Sequence, residues 1–182
     1  MHNEIIIAGF KGQSIMFAGQ LITHAGMLEG RHVSWSPSYG PEIRSGTANC
    51  SVVISDREIS SPIVTKTSIL IVFNQPFLDK FEKAVKPGGL IFYNSSIISR
   101  GPKRDDVTAF AVPANEMADE LGSAKVINMV MLGALVEITK IVSPDTLLSS
   151  LEKALGQHRQ NMIPLNKQAL KAGIEYASKK IR

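Results

Sequence analysis

Residues 4–16 read EIIIAGFKGQSIM, and this stretch decides the fold of the chain. Glu4–Ala8 is a short β-branched apolar run, which predicts a strand buried on both faces of a sheet. Gly9 and Gly12 interrupt the run, and from Ser14 onwards the apolar residues follow the spacing of a helix. A strand, a glycine turn and a helix start place backbone N–H groups at a positive helix end, which attracts phosphate or carboxylate.

The loop after this strand matches no standard phosphate-binding motif. No Gly-Lys-Ser/Thr follows at the spacing of a P-loop, and only the first of the three dinucleotide-fingerprint positions is glycine. Two interpretations stay open: a turn that only connects strand and helix, or a loop that contacts an anion. For the second interpretation, the candidate binding residues in this loop are Gly9, Lys11, Gly12, Gln13 and Ser14.

Composition indicates one ordinary folded domain over residues 1–182. The chain is 44% hydrophobic and 20% charged, which is enough to form a real core. No apolar run reaches the length of a membrane span and no leader precedes the first strand, so we expect a cytoplasmic protein. The single Cys50 excludes an internal disulfide and a cysteine-ligated cluster, and its place beside an apolar strand favours a buried small hydrophobe.

Charge and motif content argue against several functions. The formal net charge is +4, with several cations near the end of the chain, but no basic stripe with readout residues predicts a nucleic-acid partner. The four histidines are scattered, and none has a second histidine or a cysteine three or four residues away, so we predict no metal site. No serine elbow or marked nucleophile pair occurs, and we expect no catalytic set in this chain.

Strand and helix patterns alternate along the chain. Predicted strands cover residues 4–8, 31–36, 50–55, 68–74, 90–94 and 108–112, with helices at 15–28, 75–85 and repeatedly from 113 to 179. This order predicts an α/β fold with three layers: a mainly parallel sheet flanked by helices, Rossmann-like, with a helical C-terminal part. Residues 126–142 predict a core helix, an interface helix being the alternative, and Asn128 on it should find a hydrogen-bond partner.

A second candidate loop, PSYGPEIRSGTAN, spans residues 37–49. Its prolines and glycines, without any periodicity, predict a long loop. Tyr39, Glu42 and Arg44 stand there among small residues, which suits either a working loop or a surface connection with an internal Glu42–Arg44 arrangement. Since ligands in parallel sheets bind beyond the carboxyl ends of the strands, we expect this loop and residues 9–14 at the same edge.

Several blocks of the sequence resemble the gamma subunit of 2-oxoacid:ferredoxin (acceptor) oxidoreductases: IAGFKGQSIMFAGQ, SPSYGPEIRSGTANCSVVIS, ISSPIV, KPGGLIFYNSS and KVINMVMLGAL. Within that family the chain is most similar to the 2-oxoglutarate and branched-chain types. Lys11 and Ser14 stand where the family usually has glycine, a residue suited to positive φ. The second block adds five candidate binding residues: Tyr39, Gly40, Glu42, Arg44 and Thr47.

The resemblance implies a division of labour among subunits. The family oxidatively decarboxylates a 2-oxoacid to an acyl-CoA and passes electrons to ferredoxin or a similar acceptor. Thiamine diphosphate and iron–sulfur clusters belong to alpha, beta and delta-type partners, whereas this chain binds no cofactor stably and is inactive alone. The resemblance also implies a role in assembly and on the coenzyme A side of the site, where Arg44 could pair with a phosphate or an interface carboxylate.

Two other interpretations compete with this one. The chain could be a free-standing nucleotide-binding α/β protein that uses the crevice at residues 9–14, or a structural module without a ligand. The sequence leaves open which 2-oxoacid and acceptor are used, and whether the chain forms a homodimer.

Overall fold

A computed structural model describes residues 1–38, 46–155 and 157–181 of the chain. These residues form a six-stranded sheet with the order β2-β3-β1-β4-β5-β6. The neighbours β1, β4, β5 and β6 are parallel, while β3 runs antiparallel between β1 and β2. The predicted mainly parallel sheet is confirmed. The strands are β1 (His2–Phe10), β2 (His32–Pro37), β3 (Thr47–Ser55), β4 (Thr67–Val72), β5 (Val85–Asn94) and β6 (Thr108–Val112).

Helices cover both faces of the sheet unequally. The larger layer contains the C-terminal helices and α1, and the smaller one is built around α2. Short 3₁₀ turns at Glu82–Ala84, Ala124–Val126 and Gln157–Met162 connect some of them. The predicted three layers and helical C-terminal part are therefore confirmed. The helices are α1 (Ile15–Leu28), α2 (Gln75–Phe81), α3 (Ala114–Glu120), α4 (Ile127–Thr139), α5 (Pro144–Leu155) and α6 (Ile163–Ile181).

Strand β1 is buried on both faces, as its apolar run predicts. Ile5 and Ile7 are fully buried in the larger layer, whereas Ile6 and Ala8 pack in the smaller one with α2. Successive side chains of a strand point to opposite faces, so a continuous apolar run is what a central strand requires. This central position brings the end of β1 into the middle of one sheet edge.

The predicted helix at residues 75–85 is too long. Helix α2 ends at Phe81, and β5 already begins at Val85 and runs through Pro87, Gly88 and Gly89. A Cβ on Gly89 would lie 2.9 Å from the carbonyl oxygen of Ser68, because the ladder between β4 and β5 is irregular there. Gly89 therefore allows a close approach to β4, whereas Gly88 has φ 76° and open space around it.

Helix α4 lies inside the core. Residues 127–136 are all buried, which confirms the core-helix interpretation over an interface helix. It crosses α6 closely at Gly133 and Gly173, where backbone contacts backbone. The absence of side chains at these two positions lets α4 and α6 pack closely.

Candidate functional site

The edge that holds the carboxyl ends of the parallel strands is the candidate site. From β1 the sheet continues through β3 and β2 on one side and through β4 on the other. The connection after β1 leads to one side of the sheet, and the connection after β4 leads to the other. This change of direction makes the position between β1 and β4 a topological switch point, the place where open α/β sheets bind ligands. The loop at residues 9–14 follows β1, so it lies at that point.

Gln13 closes this loop against the neighbouring strand. Its Oε1 accepts hydrogen bonds from the backbone N–H of Phe10 and from Nδ2 of Asn74, both at 2.8 Å. A Cβ on Gly9 would lie 2.7 Å from both Gln13 Oε1 and Ile15 Cδ1, so these side-chain ends would have to move if Gly9 were replaced. Gln13 therefore positions the loop and is not free to bind a ligand through that oxygen.

Two positions of the loop adopt positive φ. Gly12 has φ 91° and is surrounded by open space, while Ser14 has φ 55°. Ser14 is thus a serine in a left-handed conformation that favours glycine. It stands at the N-cap of α1, but its side chain makes no capping hydrogen bond. The positive end of this 14-residue helix therefore lacks a side-chain cap from Ser14.

The second loop ends beside the first. The backbone N–H of Lys11 donates to the carbonyl oxygen of Gly46 at 2.7 Å, and Phe10 pairs with Thr47 in the ladder of β1 and β3. The Lys11 side chain is exposed. The expectation that both loops share one edge is confirmed for these flanking residues. The other candidates of this loop, Tyr39, Gly40, Glu42 and Arg44, lie outside the described residues.

Asn128 does not behave as predicted. It is 2% exposed, and its Oδ1 has no hydrogen-bond partner in the described stretches of the chain. The prediction of a satisfied amide is wrong for Oδ1: Asn128 lines a cavity of about 140 Å³ together with Ser14, and its oxygen accepts no hydrogen bond from the described residues. Sequence reasoning missed the two cations of this cavity, Lys125 and Arg159, which no motif connects to residues 9–14.

Asn94 is a further polar residue at this edge that sequence reasoning did not single out. Its Nδ2 donates to Asn115 Oδ1 at 2.7 Å, and its Oδ1 accepts from the backbone N–H of Ala114 at 3.2 Å and of Ser96 at 3.3 Å. The fully buried amide thereby ties the end of β5 to the start of α3. An asparagine directly after the apolar run LIFY was the available signal.

Cys50 is a packing residue. It is fully buried on β3, and its Sγ donates a weak hydrogen bond to the carbonyl oxygen of Ile15 at 3.8 Å. Burial raises the pKa of the thiol to about 12, so no thiolate forms near neutral pH. The interpretation of Cys50 as a buried small hydrophobe is confirmed.

Two features are absent from residues 1–38, 46–155 and 157–181. No three His, Cys, Asp or Glu side chains there lie close enough together to hold a metal ion. Likewise, none of the helices in those ranges combines the length and apolar character needed to traverse a bilayer.

Comparison with known proteins connects this geometry to a family. A family model described as pyruvate ferredoxin/flavodoxin oxidoreductase matches residues 4–176. The ketoisovalerate oxidoreductase subunit VorA of Methanothermobacter thermautotrophicus is 38% identical over 98% of this chain, which spans 37% of that relative. The 2-oxoglutarate synthase subunit KorC of Methanocaldococcus jannaschii is 35% identical over 92% of each chain.

Solved structures agree with these relatives. A keto/oxoacid ferredoxin oxidoreductase gamma subunit from Geobacter sulfurreducens PCA superposes with a TM-score of 0.84 at 28% identity, covering 97% of this chain and 99% of that one. A 2-oxoglutarate:ferredoxin oxidoreductase from Magnetococcus marinus, with 2-oxoglutarate, coenzyme A and succinyl-CoA bound, gives a TM-score of 0.88 at 26% identity. That match covers 98% of this chain and 31% of the other.

Proposed function

The chain belongs to the pyruvate ferredoxin/flavodoxin oxidoreductase family, and we propose that it is the gamma subunit of a 2-oxoacid:ferredoxin oxidoreductase complex. The complex oxidatively decarboxylates its 2-oxoacid, forms an acyl-CoA and transfers the electrons to ferredoxin or a similar acceptor. We propose 2-oxoglutarate as the substrate. The KorC relative, which is matched over 92% of both chains, and the 2-oxoglutarate oxidoreductase structure support that choice over the branched 2-oxoacid of the VorA relative.

The observation that carries this proposal is the contact between the two loops at the end of β1. The Lys11 N–H bonds to the Gly46 carbonyl at 2.7 Å, so residues 9–14 and the end of the second loop form one continuous surface. The exposed Lys11 ammonium and the start of α1 make that surface attractive to anions. Coenzyme A carries several phosphate charges and fits such a surface electrostatically.

We assign the remaining chemistry to partner subunits of alpha, beta and delta type. A cluster bound by this chain would need several thiolates, but Cys50 is its one cysteine and is buried with a raised pKa. The residues present therefore do not fit an iron–sulfur cluster. Thiamine diphosphate belongs with the partners in this proposal, and the role of this chain is to support assembly in the cytoplasm and to border the coenzyme A side.

The test uses the assembled complex with the substitution Arg44→Ala. If Arg44 binds a phosphate of coenzyme A, the KM for coenzyme A rises while kcat with saturating coenzyme A is retained. If Arg44 pairs with a partner carboxylate, less complex is recovered in a pull-down. Arg57→Ala is the matched control, because Arg57 is exposed and follows β3 at the opposite edge of the sheet.

Unchanged assembly together with an unchanged KM in Arg44→Ala would remove both roles. A separate measurement addresses the free-standing alternative. The isolated chain is titrated with nucleotides, and a rise in melting temperature by mass action would favour that alternative over the subunit role.

A further inference from the structure

The cavity near the start of α1 gathers residues from distant parts of the chain. Its volume is about 140 Å³, room for about four or five waters at the volume each occupies in the liquid. It lies between the N-terminal end of α1, the start of α4 and the segment that leads into α6. Its lining includes Ser14, Phe17, Lys125, Asn128, Arg159 and Asn166.

The charge of this cavity is positive. Lys125 and Arg159 line it, and no carboxylate is among its described lining residues. Neither side chain forms an ion pair with an acid among the residues that the structure covers. The α1 helix begins at the same place without a side-chain cap from Ser14. Two cations and a helix N-terminus together favour an oxyanion.

Asn128 adds a requirement that charge alone does not. Its Oδ1 is buried, unpartnered and at the cavity, and an amide oxygen accepts hydrogen bonds only. An anion that carries a hydrogen-bond donor satisfies this oxygen, whereas an anion with acceptors alone does not. Sulfate is fully ionised near neutral pH and carries acceptors alone. Phosphate retains a P–O–H group at that pH, so it offers both ionised oxygens and a donor.

We propose that this cavity is a phosphate-binding site. Lys125 and Arg159 attract the ionised oxygens, and the Asn128 amide oxygen accepts the proton-bearing one. Free phosphate has this chemistry, whereas the dianion of a phosphate monoester, which predominates above its second pKa of about 6, carries no P–O–H group. The inference does not depend on the oxidoreductase role, because binding is read on the 182-residue chain without partners or turnover.

Calorimetric titration of the whole chain with phosphate and, separately, with sulfate at equal ionic strength tests the proposal. Phosphate should bind about tenfold more tightly than sulfate, since only phosphate satisfies the buried amide oxygen. Asn128→Leu, which keeps the branched shape but is larger and has no polar atom, should bring the two affinities close to equality. Methyl phosphate is the matched probe: its dianion lacks the P–O–H group above a pKa of about 6, so it should bind as weakly as sulfate, and binding as tight as that of phosphate would overturn the proposal.

Charge variants keep the test decisive if Asn128→Leu fails to fold. Lys125→Gln and Arg159→Gln change exposed residues and should each weaken phosphate about threefold or more, as expected when an ion loses one charged partner. Lys179→Gln is the matched control, because Lys179 is exposed near the opposite end of α6. Equal binding of phosphate and sulfate would overturn the proposal. It would also be overturned if neither Lys125→Gln nor Arg159→Gln weakened phosphate binding, or if Lys179→Gln weakened it as much as they do.

Discussion

At the crossing of α4 and α6, two glycines bring backbone directly against backbone. A Cβ on Gly133 would lie 2.2 Å from the carbonyl oxygen of Leu170, and one on Gly173 would lie 2.1 Å from that of Val130. Carbon and carbonyl oxygen approach to about 3.3 Å even in favourable close contacts. Gly133→Ala therefore requires the two helices to separate by about 1 Å, since backbone atoms cannot rotate away.

The cost of this separation follows from two opposing effects. Overpacking a core costs about 1–3 kcal/mol, and the rigid neighbour at Gly133 places this substitution at the upper end. Alanine recovers about 1 kcal/mol because it favours the helix over glycine. We expect a net loss of about 2 kcal/mol in the free energy of unfolding. For a chain of this length that loss lowers the melting temperature by about 4–8 °C.

Urea unfolding followed by circular dichroism measures this loss, with an unchanged m-value showing that the same transition is compared. Gly26→Ala in α1 is the matched control. Its Cβ would meet Val33 Cγ1 at 3.0 Å and Ile54 carbons at 3.3 Å, which are side-chain atoms that can shift. We expect it to lose less than about 1 kcal/mol. Equal stability of Gly133→Ala and the wild type, or equal losses in both variants, would refute the reasoning.

Three further outcomes are expected. Cys50 should resist iodoacetamide in the folded chain and react in urea, as read by mass spectrometry, because burial raises the pKa of its thiol to about 12. Gly9→Ala should lower the melting temperature, since its Cβ would meet two side-chain atoms at 2.7 Å; an unchanged value would contradict the closed loop. Hydrogen bonds from Lys140 and Ser178 lower the pKa of Glu137 below its ordinary 4.5, so this carboxylate stabilises the fold above that pH and loses the contribution as pH falls. When the pH falls from about 6 to about 3, the free energy of unfolding measured by urea titration should therefore decrease less in Glu137→Gln than in the wild type. Equal decreases in the two proteins would contradict this role of Glu137.

Local patterns predicted individual elements well. Helix α1 has the predicted bounds 15–28, and β6 the predicted bounds 108–112, because apolar spacing and glycine placement act over a few residues. The same local reasoning overextended the second helix to residue 85. There a strand contact with β4, distant in sequence, determined the conformation of residues 85–89.

The candidate site, too, could be predicted from the sequence only in part. The loop at residues 9–14 is visible in the sequence because glycines interrupt an apolar run before a helix. Its role as a ligand contact stays a prediction, as do the roles of the second-loop residues. The cavity beside it could not be predicted, since Lys125, Asn128 and Arg159 share no motif with Ser14 and meet through helix packing.

The sequence by itself determined which segments are strands and helices, the layering of an α/β sheet, and the presence of a glycine loop after its first strand. Tertiary structure alone decided that β3 runs antiparallel beside β1, that Gly46 meets Lys11, and that a buried amide oxygen is left without a donor among the described residues. The physical reason is the distance along the sequence over which each kind of interaction acts. Backbone preference and apolar periodicity operate between near neighbours, whereas hydrogen-bond partners and cavities depend on groups brought together from separate segments of the chain.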